Sequence, residues 1–271
     1  MTESNIANQK SKISVITVCY NAESEIEKTI LSVLNQNYND IEYIIVDGKS
    51  KDKTIDVISR YRNKISKFIS EKDSGLYDAM NKGIRIATGE WLCFMDAGDT
   101  FTNSYVLTNV FSEQIDSNVG VIYGDVELDY SNYGKVIKRM DNLHGRNQAL
   151  DICHQSTFTR ASILKKMEYD TSFKIVADMN TFYKIWKEGF AFVYKPICIA
   201  SFEALGGVSS IKYINSFKER ARVRGARWYN SIYWWNGIVR AYTKTIQRYL
   251  MTEESYNKQL VKRIVRQNEQ V

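Results

Sequence analysis

Short apolar runs rich in β-branched residues alternate with amphipathic stretches in the first third of the chain, and this alternation constrains the fold more than any other feature. The runs are ISVITVCY, IEYIIVD, KFIS and WLCFM, all of strand length. The stretches between them place apolar residues at helical spacing. Strands joined by such helices form right-handed crossovers and a parallel sheet covered on both faces. The sequence therefore predicts an α/β, Rossmann-like fold with a mostly parallel sheet.

Two helix boundaries can be predicted from local signals. Ser24 and Glu27 have the spacing of a capping box, which predicts the start of the first helix. The helix before WLCFM has Leu76 on its apolar face and is expected to end at about Thr88. Gly89 would then supply a left-handed stop.

Polar residues follow each of the four runs. Asn21 follows the first run, Asp47 ends the second, Asp73 comes after the third, and Asp96 and Asp99 come after the fourth. In parallel sheets the ligand lies outside the carboxyl ends of the strands, where the strand order reverses. These side chains are therefore expected to converge on one site.

The turn Asp96-Ala97-Gly98-Asp99 allows two interpretations. Two carboxylates three positions apart can bind one hard divalent cation and leave sites free for a phosphate. Alternatively, Asp and Gly are common turn residues, and Asp99 could cap a helix near Ser104. The sequence has neither G-x-G-x-x-G after the first run nor G-x-x-x-x-G-K-S/T, so a phosphate would have to be neutralised by other groups.

The second half of the chain offers further candidates. VGVIYGDVELDY and GKVIKRM, joined through SNYG, predict a hairpin, and AFVYKPICIA predicts a last strand. His154, Gln155 and Ser156 are expected just before a helix, and Asp178 is expected to open another. A lone His is more often a hydrogen-bonded structural residue, and an Asp in the first turn of a helix is common, so both interpretations stay open.

Composition narrows the class of protein. The 271 residues, of which 44% are hydrophobic, suit one sizeable domain with an appendage. No apolar run approaches the roughly 18 residues of a membrane span, and MTESNIANQK lacks a signal-peptide core, so a cytoplasmic protein is expected. The four cysteines are far apart and read as free thiols.

The basic character is concentrated near the C-terminus. Residues 212–248 contain nine Lys or Arg and one acidic residue, together with several Trp and Tyr. We therefore divide the chain into residues 1–211, a catalytic unit, and residues 212–271, a small helical extension. The basic and aromatic residues of this extension would suit contact with an anionic membrane surface. They would equally suit packing on the catalytic unit or on a second subunit. No recognised module for nucleic acid is present.

The order and spacing of several motifs resemble the inverting family-2 glycosyltransferases with the GT-A fold, in particular those of bacterial polysaccharide and cell-wall synthesis. The resemblance covers about residues 12–210. The motifs that carry it are ISVITVCYN, VDGKSKDKT, EKDSGLYDAMNKGIRIATGEW, FMDAGD, CHQSTF, FKIVADMNTFYKI and LGGVSS.

This resemblance implies roles for individual residues. Asn21 and the backbone near Tyr20 would line the nucleotide cleft, Asp47 would accept from the base, and Asp73 would lie beside base and ribose. The turn from Asp96 through Ala97 to Asp99 would match the D-x-D motif, in which Mn²⁺ or Mg²⁺ bridges the diphosphate. His154 and Gln155 would line the donor sugar or diphosphate. Asp178 would be the general base.

The implied activity is transfer of a sugar from a nucleotide sugar, most often a UDP-sugar, to a glycan or lipid-linked glycan at the inner face of the cell membrane. Two departures from the family's motif pattern leave two other functions open. Gly98 stands where many relatives have Asp, and Met80 stands where many have Arg. A non-catalytic nucleotide-sugar-binding module is the first rival, and a nucleotidyltransferase, which should show a glycine- and arginine-rich loop after the first strand, is the second.

Overall fold

The structure is a computed structural model that describes residues 11–205, 212–225 and 232–268. The GGVSS part of LGGVSS lies outside this description, as do residues 1–10, 226–231 and 269–271. The α/β fold class is confirmed, and helices lie on both faces of one nine-stranded sheet.

The sheet has a parallel half and a mixed half. Its order is β3-β2-β1-β4-β8-β6-β9-β5, with β7 paired to β6. The pairs of β1 with β2, β1 with β4 and β2 with β3 are parallel, whereas β8 is antiparallel to both β4 and β6. The strands are β1 (Ile13–Cys19), β2 (Ile41–Asp47), β3 (Lys67–Ser70), β4 (Trp91–Phe94), β5 (Thr100–Phe101), β6 (Val119–Asp129), β7 (Lys135–Lys138), β8 (Thr157–Arg160) and β9 (Ala191–Glu203).

The helices connect and cover these strands. They are α1 (Ile26–Leu34), α2 (Thr54–Ser59), α3 (Leu76–Ile86), α4 (Val106–Val110), α5 (Arg146–Asp151), α6 (Ala161–Met167), α7 (Ala177–Lys187), α8 (Tyr213–Val223), α9 (Ile232–Leu250) and α10 (Glu253–Asn268). The hairpin of β6 and β7 and the last strand, β9, are confirmed.

The core lies on both sides of the sheet because alternate side chains of a strand point to opposite faces. On β1, Ile13 and Val15 belong to the core under α1 and α4, whereas Ile16 and Val18 pack with α3 on the other face. Gly83 of α3 lies so close to Ile16 that a Cβ there would come within 2.6 Å of its side chain. This contact fixes α3 against the strand that leads to the predicted site.

Three local predictions were wrong. The capping box does not form: α1 begins at Ile26 with no side-chain cap, and Glu27 instead accepts a hydrogen bond from Tyr61. Gly89 is not a left-handed stop. It is required because a Cβ there would come within 2.5 Å of the backbone N of Ser14. Leu76 is 41% exposed, because the neighbouring residue, Tyr77, takes the buried position.

A strand was also missed. The sequence predicted a helix directly after His154–Ser156, but β8 lies between that turn and α6. β8 fills the gap between β4 and β6, and its formation depends on those two partners because it is only four residues long. This places the turn that carries His154 beside the end of β4.

The C-terminal helices pack onto the sheet domain through α8, which lies beside α7, and through α10, which lies beside β7. Glu219 of α8 accepts hydrogen bonds from the backbone N–H groups of Lys174, Ile175 and Val176, just before α7. Buried Trp234 and Ile238 of α9 pack against Ala221 of α8. Among the residues that the structure describes, no helix combines the length and the apolar character needed to cross a membrane.

Candidate active site

The strand order reverses between β1 and β4, and a cavity of about 350 Å³ lies at the carboxyl ends of these two strands. We call it the switch-point cavity. Four of the predicted binding residues line it, namely Tyr20, Asp73, Asp96 and Ala97. This is the position at which open α/β sheets bind nucleotides. The Tyr20 side chain is 56% exposed and so is available to a ligand.

Asn21 lies at the same strand end but holds a loop together. It adopts a left-handed conformation with φ 49°, which Asn tolerates better than most residues. Its backbone N–H donates to Ser50 Oγ over 2.8 Å, and its Oδ1 accepts from the Lys51 N–H over 2.9 Å. Its side chain therefore ties the β1 end to the β2–α2 loop, and Asn21 is not among the residues that line the cavity.

Asp47 does not fit the base-binding role that the resemblance implied. The residue is fully buried and its carboxylate accepts from the Ser50 N–H over 3.0 Å, from the Ser50 hydroxyl and from the Ser70 hydroxyl over 2.6 Å. These donors occupy the carboxylate and hold the loops after β2 and β3 together. Among the described residues, Asp47 lines neither cavity of this site. The sequence cannot distinguish such a loop-binding Asp from a ligand-binding one.

The acidic turn after β4 is shaped by Gly98 and Thr29. Gly98 has φ +106°, a conformation that favours glycine, so the departure from Asp at this position follows from the shape of the turn. The Thr29 hydroxyl of α1 donates to the Asp99 carbonyl oxygen over 2.8 Å and accepts from the Gly98 N–H over 2.9 Å. The Asp96 N–H donates to Asp99 Oδ2 over 3.2 Å. The two carboxylates are therefore held on one turn.

A second cavity, of about 560 Å³, opens beside the first and shares Leu76, Asp96 and Ala97 with it. We call it the large cavity. The remaining candidate residues line it: Asp99, His154, Gln155 and Asp178. The structure thus brings all the predicted site residues except Asn21 and Asp47 to two adjoining cavities.

His154 links the acidic turn to the start of α7. Its Nδ1 lies 2.9 Å from Asp178 Oδ2, and its Nε2 lies 3.3 Å from Asp96 Oδ2. Burial alone would lower the pKa of His154, but its hydrogen bonds to Asp178 and Asp96 outweigh burial and raise the pKa well above its usual value. The imidazolium form therefore donates from both nitrogens. Asp96, His154 and Asp178 form a continuous carboxylate–imidazole–carboxylate chain.

The pKa values of Asp178 and Asp99 are shifted in opposite directions. Burial would raise the pKa of Asp178, but the hydrogen bond and charge of His154 lower it below its usual value, so Asp178 is ionised. Burial and the nearby charge of Asp96 raise the pKa of Asp99 well above its usual value. A cation bound between Asp96 and Asp99 would oppose that repulsion.

Tyr77 completes the surroundings of Asp178, and the sequence analysis missed it. Its hydroxyl lies 3.1 Å from Asp178 Oδ1 and 2.8 Å from the Ile175 carbonyl oxygen, and the Met179 N–H donates to the same Oδ1 over 2.8 Å. Oδ1 is therefore occupied, whereas Oδ2 has one partner, His154, among the described residues. Oδ2 retains capacity to accept a hydrogen bond from a substrate hydroxyl.

The donor set fits a divalent cation. Asp96, Asp99 and His154 each offer a ligand atom, and these atoms lie within 4.8 Å of one another. Asp96 Oδ1 is buried and has no hydrogen-bond partner among the described residues, as expected for an oxygen reserved for an ion. Carboxylate oxygens suit Mg²⁺ and Mn²⁺. His154 could ligate such an ion only after its Nε2 lost the proton, and its Nδ1–H would then still donate to Asp178, as a ligating His usually donates its other N–H to a carboxylate.

Met80 stands where many relatives have Arg, and the two basic residues that follow it on α3 are paired with carboxylates elsewhere. Lys82 pairs with Glu71 over 3.0 Å, and Arg85 pairs with Glu168 over 2.6 Å. Basic side chains at the large cavity come instead from other elements, and no sequence motif pointed to them: Lys28 of α1, which pairs with Glu25, Lys138 of β7, Lys174 before α7 and Arg220 of α8.

The chain belongs to glycosyl transferase family 2, whose family model matches residues 14–175. It is 28% identical over 217 residues to a PGL/p-HBAD biosynthesis glycosyltransferase of Mycobacterium tuberculosis, an alignment that covers 76% of this chain and 82% of that relative. It is also 31% identical over 176 residues to an uncharacterized glycosyltransferase of the same species, covering 62% of this chain and 66% of the relative. The chain is thus a glycosyltransferase by family.

Two solved structures share the fold of this chain. TarS of S. aureus, solved as residues 1–349 in complex with UDP-GlcNAc, superposes with a TM-score of 0.64 at 15% identity, covering 88% of this chain and 73% of that one. The mannosyltransferase PcManGT of Pyrobaculum calidifontis, solved with GDP-Man and Mn²⁺, gives 0.65 at 17% identity, covering 94% and 80%. The fold is therefore that of the GT-A glycosyltransferases.

Proposed function

We propose that this protein transfers a sugar from a nucleotide sugar to a hydroxyl group of a glycan or lipid-linked glycan, with inversion at the anomeric carbon. The observation that carries the proposal is the chain from Asp96 through His154 to Asp178 at the large cavity. It joins a candidate cation site at the sheet's switch point to an ionised carboxylate about one imidazole ring away.

For the donor, we propose a UDP-sugar. TarS was solved with UDP and with UDP-GlcNAc, whereas PcManGT was solved with GDP-Man, so a GDP-sugar is the alternative donor that the screen below tests. The nucleotide would occupy the switch-point cavity beside Tyr20 and Asp73, and the diphosphate would lie toward Asp96 and Ala97, which border both cavities.

Asp96 and Asp99 would hold Mn²⁺ or Mg²⁺, with His154 as a further ligand or a cationic neighbour. When bound, the ion offsets the negative charge that develops on the departing diphosphate. Gln155 lines the large cavity and hydrogen-bonds Asp99, so it would fix the orientation of that carboxylate.

Asp178 would act as the general base. The acceptor hydroxyl loses a proton as its oxygen attacks the anomeric carbon, and Asp178 Oδ2 is the carboxylate oxygen with capacity to take it. Tyr77 and His154 hold the carboxylate in place. One displacement with one base inverts the anomeric centre, and we assign no residue to a second displacement.

The acceptor would enter the large cavity from the side of Lys174 and Arg220. We propose that the reaction takes place in the cytoplasm, with the acceptor presented at the inner face of the cell membrane. We retain residues 1–211 as the catalytic unit and residues 212–271 as an extension. An oligomer is compatible with this arrangement.

A screen of nucleotide sugars with Mn²⁺ or Mg²⁺ tests the proposal. The purified full-length protein is incubated with UDP- and GDP-sugars, and release of the nucleoside diphosphate is followed together with thermal shift. We expect release from at least one UDP-sugar that requires the metal and is lost on chelation. Release from a GDP-sugar alone would correct the base. If the protein binds a donor but releases no nucleoside diphosphate even when an acceptor is supplied, the non-catalytic binding module is favoured instead.

A further inference from the structure

Side chains of α8 hold the segment of chain that enters α7 and carries Asp178. Before that residue, Arg222 donates a hydrogen bond to the Ser172 hydroxyl over 2.8 Å. After it, Arg220 Nη1 lies 3.6 Å from the Met179 sulfur. These two contacts lie on either side of Asp178, so a helix of the C-terminal extension holds the segment on both sides of the predicted base.

Between these contacts, the carboxylate of Glu219 accepts three backbone hydrogen bonds. Its Oε1 accepts from the Lys174 N–H over 2.9 Å, and its Oε2 accepts from the Ile175 N–H over 2.9 Å and from the Val176 N–H over 3.1 Å. Val176 directly precedes α7 and caps it with no side-chain hydrogen bond. N–H groups at the start of a helix lack intrahelical partners, and a carboxylate there suits the positive end of the helix dipole. Glu219 therefore supplies from α8 the cap that the local sequence lacks.

The peptide group of Ile175 connects Glu219 to the predicted base. Its N–H donates to Glu219, and the Ile175 carbonyl oxygen accepts from the Tyr77 hydroxyl over 2.8 Å. That hydroxyl also lies 3.1 Å from Asp178 Oδ1. A change in the orientation of this peptide would therefore displace the Tyr77 hydroxyl and the Asp178 carboxylate together. Among the described residues, Glu219 lines neither cavity of the site, so it acts only through these groups.

We propose that Glu219 is a positioning residue for the general base, so that the C-terminal extension serves the reaction through α8. By fixing residues 174–176, Glu219 keeps Asp178 Oδ2 against His154 and within reach of the acceptor hydroxyl. This inference rests on the proposed function, because it takes Asp178 as the base. A displacement of about 1 Å in a catalytic group can cost on the order of 10²-fold in rate. The match to the family model ends at residue 175, before both carboxylates.

A purely structural role for Glu219 would be to attach α8 to the sheet domain. That attachment has another source, because Val223 of α8 is buried in one apolar cluster with Phe173 and Val176. A conservative change at Glu219 should therefore leave α8 in place and loosen only residues 174–176. The two roles can be separated by measuring the base itself and not only the stability of the fold.

Glu219→Gln tests the proposal with the smallest change of shape. The amide has no charge, and its NH₂ group replaces an oxygen that accepted backbone hydrogen bonds. We expect kcat to fall at least about tenfold, while KM for the donor and Kd for the nucleotide stay within about twofold because the switch-point cavity is unchanged. Glu188→Gln is the matched control, since it makes the same chemical change at the exposed opposite end of α7. It should keep kcat within about twofold of wild type.

Proton NMR of the full-length protein with Mg²⁺ tests the same contact without turnover. The proton between His154 Nδ1 and Asp178 is shared by two largely buried side chains and should give a downfield imidazole N–H signal. The other histidine of the chain, His144, is exposed, so its N–H protons exchange rapidly with water and should give no such signal. We expect the downfield signal to disappear or shift upfield in Glu219→Gln and to stay unchanged in Glu188→Gln.

A double-variant cycle tests whether Glu219 acts through the Ile175 peptide. Tyr77→Phe removes only the hydroxyl that joins this peptide to Asp178 and should itself lower kcat about tenfold. If both changes break one connection, the double variant should lose much less than the product of the two single effects. Circular dichroism and melting temperature check that each variant folds. Glu219→Asp, which keeps the charge on a shorter side chain, replaces Glu219→Gln in every measurement if the latter does not fold, with a smaller fall in kcat expected.

The proposal is overturned if the downfield signal of the folded Glu219 variant matches that of the wild type, or if the wild type shows no such signal. It is also overturned if the effects of the Glu219 and Tyr77 variants on kcat multiply, because Glu219 would then act by another route. A wild-type protein that turns over no nucleotide sugar, but whose signal depends on Glu219, would refute the proposed function and still support the positioning of Asp178.

Discussion

Polar residues at two sets of strand ends look alike in the sequence but differ in what they bind. At the ends of β1 and β2, Asn21 and Asp47 are occupied by hydroxyl and N–H groups of neighbouring loops. At the end of β4, Asp96 has a buried oxygen without a partner among the described residues, and His154 connects it to Asp178. The first set stabilises the cleft, and the second set keeps the free acceptor capacity that the proposed chemistry requires.

The difference lies in which donors the fold supplies. The β2–α2 loop contributes Ser50, and the end of β3 contributes Ser70, so the Asp47 carboxylate is saturated before any ligand arrives. Around Asp96 and Asp99 the donors are fewer, and burial together with the nearby charge of Asp96 raises the pKa of Asp99 well above its usual value. A carboxylate left short of donors inside a cavity is a better candidate for function than one that is merely buried.

Replacing the unpartnered carboxylate should have the largest effect on activity. We expect Asp96→Asn to lower turnover by roughly 10²- to 10³-fold, because an amide binds a divalent cation less well than a carboxylate. The melting temperature should fall little or rise, since the charge repulsion with Asp99 is removed. Turnover is measured across a Mn²⁺ titration. A variant that loses stability but keeps its activity would show that Asp96 stabilises the fold and does not serve the reaction.

The matched substitution at the saturated carboxylate should show the opposite pattern. Asp47→Asn places an amide N–H₂ where an oxygen accepted from Ser50 and Ser70, and should cost about 2 kcal/mol of unfolding free energy. Activity per folded molecule should stay within about threefold of wild type. Urea unfolding gives the first quantity and turnover at saturating donor the second. Loss of nucleotide binding in a well-folded Asp47→Asn protein would restore its predicted role at the base.

Glu42, a buried carboxylate near the amino end of β2, should affect the stability of the fold in acid. Burial alone would raise the pKa of Glu42, but hydrogen bonds from Lys67, Ser14 and Thr88 outweigh it and lower the pKa to about 2. Because the folded-state pKa lies below the unfolded one, this stabilisation is present above about pH 4.5 and is lost as the pH falls toward 2. Solvent screening reduces the contribution to roughly 1–2 kcal/mol.

Urea unfolding at about pH 7 and about pH 3 measures this contribution. Glu42→Gln should be less stable than wild type at the higher pH, and the gap between them should narrow at the lower one. A gap that does not change with pH would mean that the charge of Glu42 does not stabilise the fold.

The smallest effect is expected at Thr29, which shapes the acidic turn without touching a ligand. Thr29→Val removes the hydroxyl that bonds Asp99 and Gly98 and should cost about 1 kcal/mol of unfolding free energy. The Mn²⁺ concentration for half-maximal activity should rise several-fold because the turn is held less firmly. Thr29→Ser keeps the hydroxyl and should restore the wild-type value. Equal metal dependence in both variants would show that the turn holds its shape by itself.

The parallel half of the fold could be predicted from sequence because its strands alternate with stretches of helical spacing, so that even the four-residue β3 is marked by the helices on either side of it. β1, β2, β3 and β4 were all recognised by their runs. β8 could not be predicted in the same way, because four residues form a strand there only through pairing with β4 and β6. Tyr77 was missed because the apolar pattern pointed to Leu76 as the first buried residue of α3, whereas the helix buries Tyr77 there.

The candidate site was predicted as a set of residue types and not as a geometry. The sequence pointed separately to Asp96, His154 and Asp178, which are up to 82 positions apart, but no spacing rule could connect them. The contact depends on the short turn of His154–Ser156, which β8 holds beside the end of β4. Asp47 was overpredicted because its hydroxyl donors, Ser50 and Ser70, are unremarkable in the sequence.

The most direct test of this account is Asp178→Asn, assayed for both turnover and nucleotide affinity on the same preparation. The account predicts that turnover falls by roughly 10²- to 10⁴-fold while the dissociation constant for the nucleotide changes by less than about threefold. Turnover close to that of the wild type would contradict it, because the proton of the acceptor would then have another destination.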